Sequence, residues 1–236
     1  MTPRTTRDLS VKKVTRPEKT PERPSDTEPG ESLWATRGVE DVFFQREAQI
    51  TWWTVLGGIA VAALLTQLES LTTALKSGQW HYLLFFVASC LIIVNSWVQT
   101  AWGSLVLRWP ISIPTSLSLF LQGLSTSVAC LNVTHPAVWM GATFVVVLTA
   151  EFNQVVFMRR RGWIALPADI VARARAGIVV YAVFAGITLA STLHLALRPS
   201  IVREIAWGLV AVLASLLALA WQHAGMNEEK RRMGIA

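Results

Sequence analysis

Apolar residues in this chain do not alternate with polar ones; they come in long runs. Six runs follow a polar opening stretch, covering residues 50–75, 80–107, 110–133, 136–158, 176–197 and 199–223. Each reaches or approaches the roughly 20 mainly apolar residues that a helix needs to cross a hydrocarbon core of about 30 Å. Proline opens an element at Pro110, Pro136, Pro167 and Pro199, where the first helical turn has no use for the missing N–H. The pattern therefore predicts an all-α, polytopic membrane protein: a bundle of about six transmembrane helices. The segments between runs are short, such as 76–79 and Arg198 alone before Pro199. These outer loops leave no room for an extracellular domain.

The polar stretches divide the chain further. Residues 1–38 are rich in Lys, Arg, Glu, Pro, Ser and Thr without an apolar core, the composition of a disordered tail. Residues 39–225 form the membrane domain and 226–236 a basic C-terminal tail. Two stretches look amphipathic: residues 39–46 (VEDVFFQR), leading into the first run, and 167–175 (PADIVARAR) before the fifth. Both fit helices lying in the interface against anionic headgroups.

Composition sharpens this picture. Of 236 residues, 53% are hydrophobic and 15% charged, against about 25% charged in an ordinary soluble domain. The first 48 residues hold nine basic and nine acidic side chains, so the net charge of +6 belongs wholly to the remainder. Its distribution sets a direction. With the N-terminus inside, the inner ends carry Arg108, Arg159, Arg160, Arg161, Arg173, Arg175, Lys230, Arg231 and Arg232, and the outer ends only Lys76, Arg198 and Arg203. Nine against three places both termini on the cytoplasmic side of a plasma (inner) membrane. Tryptophans at 52, 53, 109, 163 and 221 on the inner side, and 80 and 139 on the outer, read as interfacial belts, with Trp97 and Trp102 as buried packing residues. Basic residues at helix ends argue for lipid headgroups and against nucleic acid. Arg159, Arg160, Arg161, Arg173 and Arg175 are the candidates for lipid or partner contact.

Function has to be sought within the helices. Polar residues inside the bilayer are the usual pointer. Thr115, Ser118, Gln122 and Ser125 recur at steps of three and four and share a helical face. Asn95, Gln99 and Ser96 lie near mid-membrane in the second run, and Tyr181, Thr188, Ser191 and Thr192 in the fifth. Glu151 is the one deep carboxylate, and Glu69 stands in the outer part of the first run. A conduit for a small ion or solute would be lined by Glu151, Gln122, Asn95, Gln99, Ser118, Thr115 and Glu69, with flux depending on Glu151. Hydroxyls also serve helix contacts and their own carbonyls, which is the plainer use of the Ser/Thr stripes. Gly58-x-x-x-Ala62 fits close helix packing in the same way.

Two other readings use different residues. The basic inner surface and the tail suit an accessory or scaffold subunit that docks a cytoplasmic protein or a second copy of the chain. His81, His135 and His194 all fall near the outer mouth, and three imidazoles at one level would suit a metal or redox enzyme. Catalytic signatures are missing: there is neither H-E-x-x-H nor G-x-S-x-G, and Asp occurs only at 8, 26, 41 and 169, outside the runs. Cys90 and Cys130 sit singly in apolar runs as filler. A non-enzymatic role without a cofactor is the expectation.

Overall fold

The computed structural model describes residues 39–105, 113–161 and 168–232. The chain separates into two units, Met1–Val42 and Phe43–Ala236. Only the start of the first helix is described in the former, and the account below concerns the latter. The tail expected at 1–38, and Arg108, Trp109, Trp163 and Pro167, lie outside the described residues.

Among the described residues, seven helical segments follow in order: α1 (Val39–Thr66), α2 (Leu68–Lys76), α3 (Tyr82–Leu105), α4 (Ile113–Leu131), α5 (Pro136–Arg161), α6 (Ala168–Leu197) and α7 (Ile201–Arg232). No strand occurs among the described residues. α1 and α2 make one rod interrupted at Gln67. There Thr66 donates its hydroxyl to the Ala63 carbonyl at 2.7 Å, and the Gln67 N–H reaches back only three residues to Leu64 at 3.1 Å. Such tightening is a common way for a helix to break its ladder without leaving a group unpaired. α2 ends where Gly78 takes φ +83°, and the N–H groups of Gly78 and Gln79 close on the carbonyls of Leu75 and Ala74 at 3.0 and 2.9 Å. Glycine is the residue that enters this left-handed conformation without strain.

Among the described residues, five stretches are long and apolar enough to cross a membrane: Ile50–Lys76, Tyr82–Ala101, Pro136–Asn153, Arg175–Leu197 and Ile201–Glu228. The distribution of polarity matches that solvent. Leu197, Val202 and Leu217 stand 78%, 74% and 65% exposed, while Ser89, Thr100, Ser118, Gln122, Thr126 and Ser191 are buried. A protein in water does the reverse. This is an integral membrane protein with an all-helical fold.

α4 is not among the five. Its 19 residues include six Ser/Thr and Gln122, which hold its hydropathy down. Those polar residues lie mostly on its buried side, with Thr115, Ser118, Gln122, Thr126 and Ser127 all inside. The third apolar run is thus a short helix that turns its polar face to protein rather than to lipid.

Other boundaries differ from the hydropathy pattern. The amphipathic stretch at 167–175 is not a separate interfacial helix: residues from Ala168 onward are the first turns of the 30-residue α6. Helix propensity carries through because nothing between Ala168 and Leu197 breaks it. Likewise α7 continues through the basic C-terminal stretch to Arg232.

Packing divides the helices into two groups. α5 lies along both α4 and α6, and α3 lies along α7; only light contacts join α3 to α4 and α5, and α6 to α7. At the α3–α7 seam, a Cβ on Gly208 would lie 2.9 Å from Leu84 Cβ and 3.3 Å from Phe85 Cε2. At one end of this seam His81 Nε2 stands 2.8 Å from Glu204 Oε2. α1 approaches α4 at Gly123, where an added Cβ would meet Leu56 Cβ at 2.9 Å. These glycines, not Gly58 and Ala62, are the close approaches; Gly58 and Ala62 face outward. The core gathers around Phe85, Cys130, Val133, Trp139 and Met140. Trp97, read above as a packing residue, is 51% exposed, whereas Trp139, read as an interfacial marker, is fully buried.

Gly208→Ala is expected to lower the thermal unfolding midpoint of the purified protein, by a loss of about 1–3 kcal/mol for overpacking. Gly186→Ala, where nothing lies within 4 Å, should leave the midpoint unchanged or raise it. Equal behaviour of the two variants in a thermal melt would contradict the packing described.

Candidate functional site

Between the α3–α7 pair and the α4–α5–α6 group lies a cavity of about 90 Å³. Its position follows from the packing, because it opens where the two groups touch only lightly. On α5 its lining runs from Trp139 to Ala150, on α6 from Tyr181 to Ser191 and on α7 from Trp207 to Ala218. At 1.5 Å per residue these stretches are each about 15 Å long, half of a hydrocarbon core. α3 contributes Ile92, Asn95, Ser96 and Gln99, and α4 contributes Gln122.

Among the described residues, no Asp, Glu, Lys, Arg or His lines it. Walls of Ile, Val, Ala, Phe and Trp carry a few polar groups, and the hydroxyls are largely committed elsewhere. Thr143 donates to Trp139 O at 2.9 Å, Thr188 to Phe184 O at 2.9 Å and Ser191 to Thr188 O at 2.8 Å. Bonded to their own helices, these hydroxyls present little more than methyl and methylene surface.

The carboxamides are different. Gln99 Nε2 donates to the Tyr181 hydroxyl at 3.2 Å, tying α3 to α6. Gln222, one turn beyond Ala218 on α7, approaches the same hydroxyl, but its buried Oε1 and Nε2 have no hydrogen bond of good geometry. Asn95, one turn from Gln99 on the same face of α3, also has a buried and unpartnered Oδ1. Asn95, Gln99 and Tyr181 thus line the cavity, while Gln222 lies beyond the lining, against the Tyr181 hydroxyl. Toward the other end Trp207 Nε1 donates to His194 Nδ1 at 3.2 Å, and Trp139 Nε1 to Ser89 Oγ at 2.8 Å. Ser89 in turn donates to Phe85 O at 2.9 Å. These bonds hold both indoles in place beside the cavity.

The residues singled out from sequence divide accordingly. Asn95, Gln99 and Gln122 come together on the cavity. Ser118 and Thr115 are buried on α4 but do not line it; Ser118 donates across to Thr149 O of α5 at 3.1 Å. Glu151 is half-buried, one residue past the point where the α5 lining ends, and Glu69 is exposed on α2. The lining stops short of Glu151 because the parting of the two helix groups, not hydropathy, sets the cavity's depth. Arg159, Arg160 and Arg161 end α5, and Arg173 and Arg175 lie in the first turns of α6. His81 pairs with Glu204, His194 with Trp207, and the His135 carbonyl accepts from the Trp139 N–H at 3.0 Å. Among the described residues no three His, Cys, Asp or Glu side chains gather as a metal site, so the three histidines are not grouped as a metal or redox centre requires. Gln222 was legible only as one more polar residue near the end of an apolar run.

No protein-family model, curated protein or solved structure matches the chain. The cavity therefore stands on its own chemistry.

The Gln99–Tyr181 bond is expected to contribute a coupling of about 0.6 kcal/mol, and at most about 1.7, as double-mutant cycles find for hydrogen bonds between transmembrane helices. A double-mutant cycle with Gln99→Leu and Tyr181→Phe, read by unfolding in mixed micelles, checks it. Additive single effects would remove that bond from the account.

Proposed function

We propose that the chain crosses the membrane six times, with both termini cytoplasmic, and conducts or carries a small uncharged solute through the cavity between its two helix groups. The observation that carries this reading is the cavity itself: about 90 Å³ within the bundle, with carboxamides and no charged residue among its described lining. That volume has room for several waters. An ion entering it would lose its hydration without meeting an opposite charge, a loss of several kcal/mol or more. A neutral solute loses far less, and the carboxamides replace part of its water.

This narrows the expectation from sequence. A path that depended on Glu151 would favour a cation or proton, whereas Glu151 and Glu69 lie away from the lining. In this reading α4 is the third crossing, its polar face shielded by α5, and the basic inner ends of α5, α6 and α7 rest against anionic headgroups. The membrane is a plasma membrane of bacterial type.

In proteoliposomes, stopped-flow light scattering should report faster entry of small neutral osmolytes than in protein-free vesicles, with no added conductance to Na⁺ or K⁺. Ala214→Phe, which fills the middle of the lining, should abolish the gain, and Glu151→Gln should leave it intact. Flux of ions, or a neutral-solute flux that survives Ala214→Phe in a folded protein, would contradict the reading. Orientation is checked separately. In a variant lacking Cys90 and Cys130, a cysteine at Ser77 should react with an impermeant maleimide from outside the cell, and one at Gly234 only after permeabilisation.

A further inference from the structure

The lining faces of two helices continue past the cavity. On α5 the lining steps by three and four from Trp139 to Ala150, and the next residue of that series is Asn153. On α7 the lining runs in the same way from Trp207 to Ala218 and leads on to Gln222. Both residues stand within about 6 Å, along their helices, of the last lining residue. They do so at the end of the cavity where Gln99 closes the α3 lining and Tyr181 opens that of α6. Asn153 Oδ1 and both amide atoms of Gln222 are buried without a hydrogen bond of good geometry. Inside a bilayer such atoms are costly as long as no water reaches them.

A bond across the seam stands between these atoms and the cavity. Gln99 belongs to the α3–α7 pair and Tyr181 to the α4–α5–α6 group, and Gln99 Nε2 donates to the Tyr181 hydroxyl at 3.2 Å. Gln222 of α7 lies against the same hydroxyl. The opposite end of the cavity is also bridged, but there each indole N–H has its acceptor: Trp139 has Ser89 at 2.8 Å and Trp207 has His194 at 3.2 Å. The closed form therefore leaves the Asn153 and Gln222 amides unpaired at the Tyr181 end, and hydration favours opening there.

Resting on the conduit reading above, we propose that the Gln99–Tyr181 bond is the gate of the conduit and that Asn153 and Gln222 line its closed continuation. When the bond parts, the two helix groups separate at this end and water reaches both carboxamides. Their new hydrogen bonds offset the one that is lost, so the two forms lie close in free energy. A neutral solute leaving the cavity then exchanges the Gln99 amide for those of Asn153 and Gln222. Removing the bond shifts the balance toward the open form, and entry of solute quickens in proportion to the open fraction.

The test uses proteoliposomes of the full chain and stopped-flow light scattering, with ethylene glycol as the osmolyte. Tyr181→Phe, which removes the hydroxyl and keeps the ring, should raise the entry rate about threefold. That is the fold-change given by a coupling of about 0.6 kcal/mol at 1.4 kcal/mol per decade. Gln99→Leu should act in the same direction, and neither variant should admit Na⁺ or K⁺, which separates an opened gate from a loosened fold. Cysteine reactivity reads the same step. In a chain lacking Cys90 and Cys130, a small methanethiosulfonate should modify Asn153→Cys about three times faster once Tyr181→Phe is added. Cys130, fully buried and kept in a chain lacking only Cys90, should stay unmodified in both backgrounds. Entry rates unchanged or lowered in both folded variants, while the parent protein conducts, would overturn the gate and leave the neutral-solute conduit standing. An unchanged reactivity of Asn153→Cys, or modification of Cys130 alongside it, would overturn the gate as well. Entry at the protein-free rate for the parent and both variants would overturn gate and conduit together.

Discussion

The bilayer interior offers no water, so a polar group inside it pairs with protein or stays unpaired at a penalty of several kcal/mol. That constraint orders the whole structure. Backbone groups are absorbed by helices, and most hydroxyls by the helices that bear them: Thr126 bonds to Gln122 O, Ser127 to Gly123 O and Thr192 to Thr188 O, all within 3.0 Å. Indoles and a few side chains bond across helices instead, as in Trp139 to Ser89 and Ser118 to Thr149 O. Once these are paired, the unpartnered Oδ1 of Asn95 stands out, because Asn95 lines the cavity. Asn153 Oδ1, Trp53 Nε1 and the Gln222 carboxamide are also buried without a hydrogen bond of good geometry, but none of the three lines that cavity.

Packing supplies the complementary constraint. Lipid gives apolar side chains no reason to leave it, so helices associate where backbones come close and surfaces interlock. Gly208 beneath Leu84 and Gly123 beneath Leu56 are such places, and they draw α7 to α3 and α1 to α4. The same rule explains where packing fails. Trp139, Tyr181, Phe184 and Trp207 are bulky at the seam between the two groups, and a space lined by them remains. A seam with few contacts is also where two helix groups shift most readily against each other.

Much of the fold was legible because hydropathy and length answer directly to the bilayer. The runs at 80–107, 136–158 and 199–223 correspond closely to α3, α5 and α7. What hydropathy does not encode is rotation of a helix about its own axis. Asn95 and Gln99 stood out by depth and Gln122 by its helical face, and helix packing places all three on the cavity. Glu151 had the right depth and lies beyond the lining; Trp97 and Trp139 exchanged their expected places. The stripe on α4 was correctly seen as one face, and its partner, Thr149 of α5, depends on a contact 31 residues away. Gln222 gave no signal of its own, because its significance arises only where α7 brings it beside Tyr181.

The central claim is that water and small solutes reach the cavity from outside the protein. Thiolate chemistry tests this directly, since a cysteine reacts with a water-soluble thiosulfonate only where water reaches it. In a chain lacking Cys90 and Cys130, Ser215→Cys lies on the cavity lining and Leu217→Cys on the outward face. The account predicts that a small methanethiosulfonate modifies Ser215→Cys in intact membranes and leaves Leu217→Cys unmodified. Modification of neither, or of Leu217→Cys alone, would contradict it.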